Sequence, residues 1–195
     1  MERLIFATNN QHKVDEIKRL VNDLYDVVSL KEAGISIDIP EPHPTLEENA
    51  REKSRVIHSL TGENCFSEDT GLEVEALSGA PGVKSARYAG EGKSSEENIL
   101  KLLYELKDVT SRKARFRTVI SLMFNGVEKQ FEGTCDGTIS IHPKGGKGFG
   151  YDPVFVPQGE TRSFAEMDLE EKIKLSHRTK ATAQLLAFLS LNGKK

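Results

Sequence analysis

Residues 65–77 read "CFSEDTGLEVEAL". An apolar pair, Cys65 and Phe66, is followed by Ser67-Glu68-Asp69-Thr70-Gly71 and then by an alternating run through Leu72, Val74, Ala76 and Leu77. Apolar residues at this period mark a strand with one buried face. Adjacent carboxylates beside a sheet interior are costly unless a cation or a reaction employs them, and Gly71 allows a tight backbone. The stretch therefore predicts strand, acidic turn, strand, with Glu68 and Asp69 held together at a strand end.

Upstream, "RLIFAT" is a short apolar run, and "NNQHKVDEIKRLVNDLY" at 9–25 spaces Val14, Ile17, Val21 and Leu24 at helical intervals. In "PTLEENAREKSRVIHSLTG", Thr45 and Glu48 form a capping-box pair and Gly62 a C-terminal stop, which predicts a second helix. Downstream, the glycine-rich "SGAPGVKSARYAG" reads as loop. "SSEENILKLLYELKD" carries Ile99, Leu102, Leu103 and Leu106 on one helical face behind a Ser94/Glu97 capping box. "ARFRTVISLMF", Asn125-Gly126 and "VEKQFEG" predict a hairpin, with further strands at "GTISI" and "PVFVP" and helices at "LEEKIKL" and "KATAQLLAFLSL". Strands alternating with helices plus one hairpin give an α/β class with a mixed sheet.

A chain of 195 residues builds one sizeable core, and the expectation is a single domain over 1–195. With 27 basic against 30 acidic residues and no basic block, a broad nucleic-acid surface is disfavoured. The longest apolar stretch, about Leu185 to Leu191, is far short of the roughly 20 residues that span a bilayer. The start, "MERLIFATNN", lacks the apolar core of a signal peptide, so a cytoplasmic protein without membrane attachment is expected. Cys65 and Cys135 show no CxxC spacing and read as two buried thiols in a reducing compartment.

Four stretches carry candidate chemistry. "TNNQHK", Thr8 to Lys13, joins an apolar strand to a helix, where free N–H groups and the helix dipole favour an anion; a simple Asn cap with a solvated Lys13 fits the same residues. Glu48, Glu68 and Asp69 offer the hard oxygens that Mg²⁺ takes alongside substrate phosphates, although Glu48 is equally explained as a cap. "GGKGFGYDP", Gly145 to Pro153, lets backbone approach a planar base with Phe149 stacked on it and Asp152 accepting its N–H, or else forms a turn with Phe149 in the core. In "EEKIKLSHRTK", Lys172, His177 and Arg178 are donors suited to a base edge or a phosphate; a structural His is the competing reading. The five His show no metal spacing, and neither a Walker A pattern nor a G-x-S-x-G elbow occurs.

Taken in order, "ATNNQHK", "TLEENAREK", "SEDTGLEVEALSGAPGVKSARYAG", "GGKGFGYDPVF" and "EEKIKLSHR" resemble the Ham1/RdgB family, the inosine/xanthosine triphosphate pyrophosphatases that clear damaged purine nucleotides. The resemblance implies an elongated mixed sheet flanked by helices, in two lobes around a central cleft, and a homodimer. It implies Mg²⁺-dependent hydrolysis of ITP, dITP and XTP to the monophosphate and pyrophosphate. Thr8, Asn9, Asn10, Gln11, His12, Lys13 and Lys53 would handle the triphosphate, and Glu48 and Asp69 would hold Mg²⁺, with Asp69 also the general base. Thr70 would lie against the substrate. Phe149, Gly150, Tyr151 and Asp152 would form the base pocket, completed by Lys172, His177 and Arg178, with Arg87 nearby. Two positions depart from the family pattern: Glu68 stands where many relatives have Asp, and Lys147 where many have Gly. A related pyrophosphatase that clears pyrimidine or modified nucleotides, resembling the Maf group, and a non-catalytic purine-nucleotide sensor are the competing readings.

Overall fold

The computed structural model describes residues 1–21, 24–92 and 94–192. Seven strands form one sheet in the order β2-β1-β3-β5-β6-β7, with β4 also paired to β3. They are β1 (Arg3–Phe6), β2 (Asp26–Ser29), β3 (Cys65–Val74), β4 (Pro81–Gly82), β5 (Lys113–Phe124), β6 (Val127–Ile139) and β7 (Phe155–Pro157). The helices are α1 (Gln11–Val21), α2 (Leu46–Thr61), α3 (Ser95–Glu105), α4 (Leu169–Leu175) and α5 (His177–Asn192). β1 runs parallel to β2 and β3, whereas β4 and β7 pair antiparallel. The α/β class with a mixed sheet is therefore as expected.

The local signals explain most boundaries. The Asn10 side chain accepts the Lys13 N–H at 3.2 Å and starts α1. Thr45 Oγ1 accepts the Glu48 N–H, and Gly62 closes α2 at φ 69°. Ser94 caps α3 through the Glu97 N–H. Asn125 and Gly126, at φ 48° and 77°, supply the left-handed pair that a two-residue hairpin turn requires between β5 and β6.

Four expectations need correction. The acids do not end a strand: β3 runs unbroken from Cys65 to Val74, and the "EAL" that was to continue a second strand is a 3₁₀ turn, Glu75–Leu77. β6 continues through Ile139, absorbing most of "GTISI". The "SGAPGVKSARYAG" loop contains β4 and a 3₁₀ turn, Ser85–Arg87. Leu24 is 64% exposed beyond the end of α1 at Val21, while residues 22 and 23 of the predicted helix lie outside the described residues.

The chain divides into two compact units. The first comprises Met1–Asp69, Thr118–Gly133 and the described residues from Arg178 onward. On one face of its strands, Phe6 and Phe66 stack with centroids 4.4 Å apart among Val14, Ile17, Ala181, Leu185 and Leu189 of α1 and α5. On the other, Ile5 and Cys65 pack with Ile57 of α2. The second unit comprises Thr70–Arg117 and Thr134–His177. Its core sets Leu72, Val74, Phe116, Cys135 and Phe155 against Ile99 and Leu102 of α3. The opposite side of these strands lines an open groove of about 780 Å³, where Glu73 pairs with both Arg115 and Arg117. Both cysteines are free and buried, and burial pushes the Cys65 thiol up to about 12. No described helix is long and apolar enough to cross a membrane.

Candidate functional site

Successive side chains of a strand point to opposite faces. Because β3 is unbroken, Glu68 follows Phe66 toward α1 and α5, and Asp69 follows Cys65 and Ser67 toward α2. Alternation thus separates two carboxylates that the sequence reading kept together: Arg178 pairs with Glu68 and Lys53 with Asp69.

Glu68 is 1% exposed. Its two oxygens accept from Nε and Nη2 of Arg178, each at 2.8 Å, and Lys13 Nζ lies 3.0 Å away. The third Arg178 nitrogen donates to Glu16. Burial alone opposes ionisation of Glu68, yet the Arg178 guanidinium and the Lys13 ammonium hold its carboxyl well below the usual range. A planar fork on a carboxylate is the geometry that repays desolvation best.

On the α2 face, Lys53 Nζ lies 3.3 Å from Asp69 and 2.5 Å from Glu41. One buried ammonium therefore joins two carboxylates. Burial raises the Asp69 pKa above its ordinary value; Lys53 and Lys13 oppose that rise and Glu41 adds to it. Ser67, on the same face, donates to the Ala50 carbonyl and fixes β3 against α2. No set of three or more His, Cys, Asp or Glu able to hold a metal occurs among the described residues. The Glu41 and Asp69 oxygens nonetheless fit Mg²⁺, which commonly takes one or two carboxylates and fills its shell with water and phosphate oxygens.

The turn before α1 is tied to itself, to the 35–45 segment and to the first turn of α1. Thr8 Oγ1 accepts the Asn10 N–H at 3.1 Å, Asn9 Nδ2 donates to the Ile37 carbonyl at 3.1 Å, and Gln11 donates to Asp15 one turn on. His12 is exposed.

The second unit holds its own cluster. Asp152, 2% exposed, accepts the Phe149 N–H at 2.9 Å and Lys172 Nζ at 2.7 Å. Lys172 Nζ also sits 4.8 Å from the Phe149 ring centroid, within cation–π range. Gly148, at φ +75°, is required here: a Cβ would lie 2.1 Å from Asp152 Oδ2. Tyr151 donates to the Ser85 carbonyl at 2.8 Å, beside Arg87 in the same 3₁₀ turn. His177 stacks on Phe116 at 4.7 Å. Lys147 is exposed.

The sequence pattern of the Ham1 family matches residues 4–188. The chain belongs to the Ham1 family. A dITP/XTP pyrophosphatase of Porphyromonas gingivalis is 52% identical over 190 residues, covering 97% of this chain and 98% of that one. A dITP/XTP pyrophosphatase of Christiangramia forsetii is 49% identical, covering 96% and 99%. Among solved structures, the Staphylococcus aureus Ham1 protein has a TM-score of 0.88 at 40% identity over 98% of this chain and 100% of that one. A HAM1 protein of Coxiella burnetii has a TM-score of 0.89 at 37% identity, covering 97% and 99%.

Within this Ham1 chain the structure joins Lys53 to Asp69, and Phe149, Asp152 and Lys172 to one another. It departs from the sequence reading at two positions. Glu48 lies exposed on the first turn of α2 and accepts the Thr45 hydroxyl at 2.8 Å; the carboxylate bound to the same ammonium as Asp69 is Glu41. Arg178, expected to face a base, belongs to the first unit and gives its guanidinium to Glu68 and Glu16. Sequence reasoning missed Glu41 because "IPEPHP" has neither periodicity nor a motif, although an acid between two prolines is a stiffly held carboxylate.

Proposed function

We propose that this chain hydrolyses the non-standard purine nucleoside triphosphates ITP, dITP and XTP to the monophosphate and pyrophosphate, with Mg²⁺ as cofactor. The observation that carries this reading is the buried Asp69 sharing the Lys53 ammonium with Glu41, in a chain of the Ham1 family. Glu41 and Asp69 would hold Mg²⁺, which when bound neutralises phosphate charge and acidifies water. Thr8 to Lys13 and Lys53 take the triphosphate: N–H groups at the start of α1 accept an anion, and the lysines offset charge gathering on the departing pyrophosphate. Asp69 removes the proton of the attacking water. An ordinary aspartate is a feeble base, and the burial that raises Asp69 brings its basicity closer to what that task needs.

The purine stacks on Phe149, and Asp152 and Lys172 address its edge, with Thr70, Gly150, Tyr151 and His177 as further contacts. Adenine presents an amine donor where hypoxanthine and xanthine present an oxygen. A buried donor such as Lys172 then loses its partner, and sites built this way discriminate by as much as about 10⁴. Excluding guanine falls to a steric or unpaired-polar penalty at its 2-amino group. A homodimer acting in the cytoplasm is part of this proposal; sedimentation of a monomer at micromolar concentration would contradict the dimer.

Pyrophosphate release from ITP, with and without Mg²⁺, for the wild type and Asp69→Asn, tests the reaction. Release that needs both Mg²⁺ and Asp69 is expected, whereas tight ITP binding with no release would replace the enzyme with a nucleotide sensor. Equal kcat/KM for inosine, xanthosine, guanosine and adenosine triphosphates would refute the selectivity.

A further inference from the structure

Residues 35–45 run from β2 to α2 without helix or strand, yet Glu41 within them makes a 2.5 Å ion pair with Lys53. A carboxylate on an irregular segment is held in place only if the segment itself is held. Part of the stiffness is covalent: Pro40, Pro42 and Pro44 alternate with Glu41 and His43. Each proline fixes its own φ and drives the preceding residue to an extended conformation, so 40–44 behaves as a short rod.

The segment is tied on both sides of Glu41. Upstream, Asn9 Nδ2 donates to the Ile37 carbonyl at 3.1 Å. Downstream, Asn49 on α2 makes a two-point clamp: its Oδ1 accepts the His43 N–H at 2.9 Å and its Nδ2 donates to the His43 carbonyl at 3.1 Å. Asn49 is 0% exposed. A fully buried amide is costly unless both its donor and its acceptor are used, and here both go to one backbone residue two positions from Glu41. Helix capping does not explain Asn49, because Thr45 already caps α2.

We propose that Asn49 is a positioning residue, whose clamp on His43 fixes the proline rod so that the Glu41 carboxylate stands beside Asp69 to receive a divalent cation. The inference rests on the reading of Glu41 and Asp69 as the cation's ligands. Mn²⁺ serves as the probe, and electron paramagnetic resonance separates bound from free ion on the full chain without nucleotide. Glu41→Gln is expected to weaken Mn²⁺ binding, and Asn49→Leu, of similar volume, to weaken it about tenfold or more, as loss of an outer-shell partner does. Unchanged binding in Glu41→Gln overturns the ligand reading, and the proposal with it. Weakened binding in Glu41→Gln with unchanged binding in Asn49→Leu overturns the positioning role alone. Hydrogen exchange on the wild type requires no variant to fold: the His43 amide is expected to be strongly protected, and exchange at the free-peptide rate overturns the clamp.

Discussion

Asp69 and Glu68 are chain neighbours with opposite electrostatic histories. The Asp69 pKa is raised in the folded state, so its ionisation costs stability as pH climbs through that raised value. Asp69→Asn is expected to lower kcat by about 10²–10⁴, with Glu41 still paired to the buried Lys53 ammonium; a large fall in melting temperature as well would mean the residue is structural. Glu68 runs the other way: its depressed pKa contributes stability that is present above the ordinary carboxylate range and lost as pH falls below it. Glu68→Gln leaves the buried Arg178 fork without its bidentate partner and is expected to destabilise the fold by about 3 kcal/mol or more at neutral pH. The same variant should flatten the acid side of the stability profile in urea unfolding, and an unaltered profile would show that Glu68 does not supply it. The Glu68 carboxylate meets Nε and Nη2 of Arg178 at 2.8 Å each, a two-point contact that the amide of Gln cannot reproduce.

At the level of elements, caps and the Asn-Gly turn were legible because they depend on residues adjacent in sequence. The course of β3 was not. Asp and Glu are poor strand formers, and "SEDTG" looks like an interruption until Arg178, far along the chain, is known to neutralise Glu68. Glu41 was hidden for a similar reason, since its partner Lys53 is identified only by tertiary structure. The turn 148–152 shows a local rule being met: Gly148 leaves room for the Asp152 carboxylate that receives the Phe149 N–H. Gly148→Ala should displace that carboxylate and raise KM for ITP about tenfold, the equivalent of one hydrogen bond, with kcat little changed. An unchanged KM would remove Asp152 from base recognition.

For the whole molecule, the α/β class with its mixed sheet followed from periodicity, whereas the division into two units drawn from separated chain segments did not. The first unit closes only when the last helix returns to the first strands: Ala181, Leu185 and Leu189 pack with Phe6 and Phe66. Leu185→Ala is expected to cost about 3 kcal/mol in denaturant unfolding, and a loss below about 1 kcal/mol would show that the site collapses around the gap. Each unit also encloses one cysteine thiol, Cys65 in the first and Cys135 in the second. Neither meets an alkylating reagent until its own surroundings open, so brief pulses of iodoacetamide followed by peptide mass measurement time the opening of each half independently. Matching labelling rates would reveal a single cooperative melt, and diverging rates would tell which half lets go first.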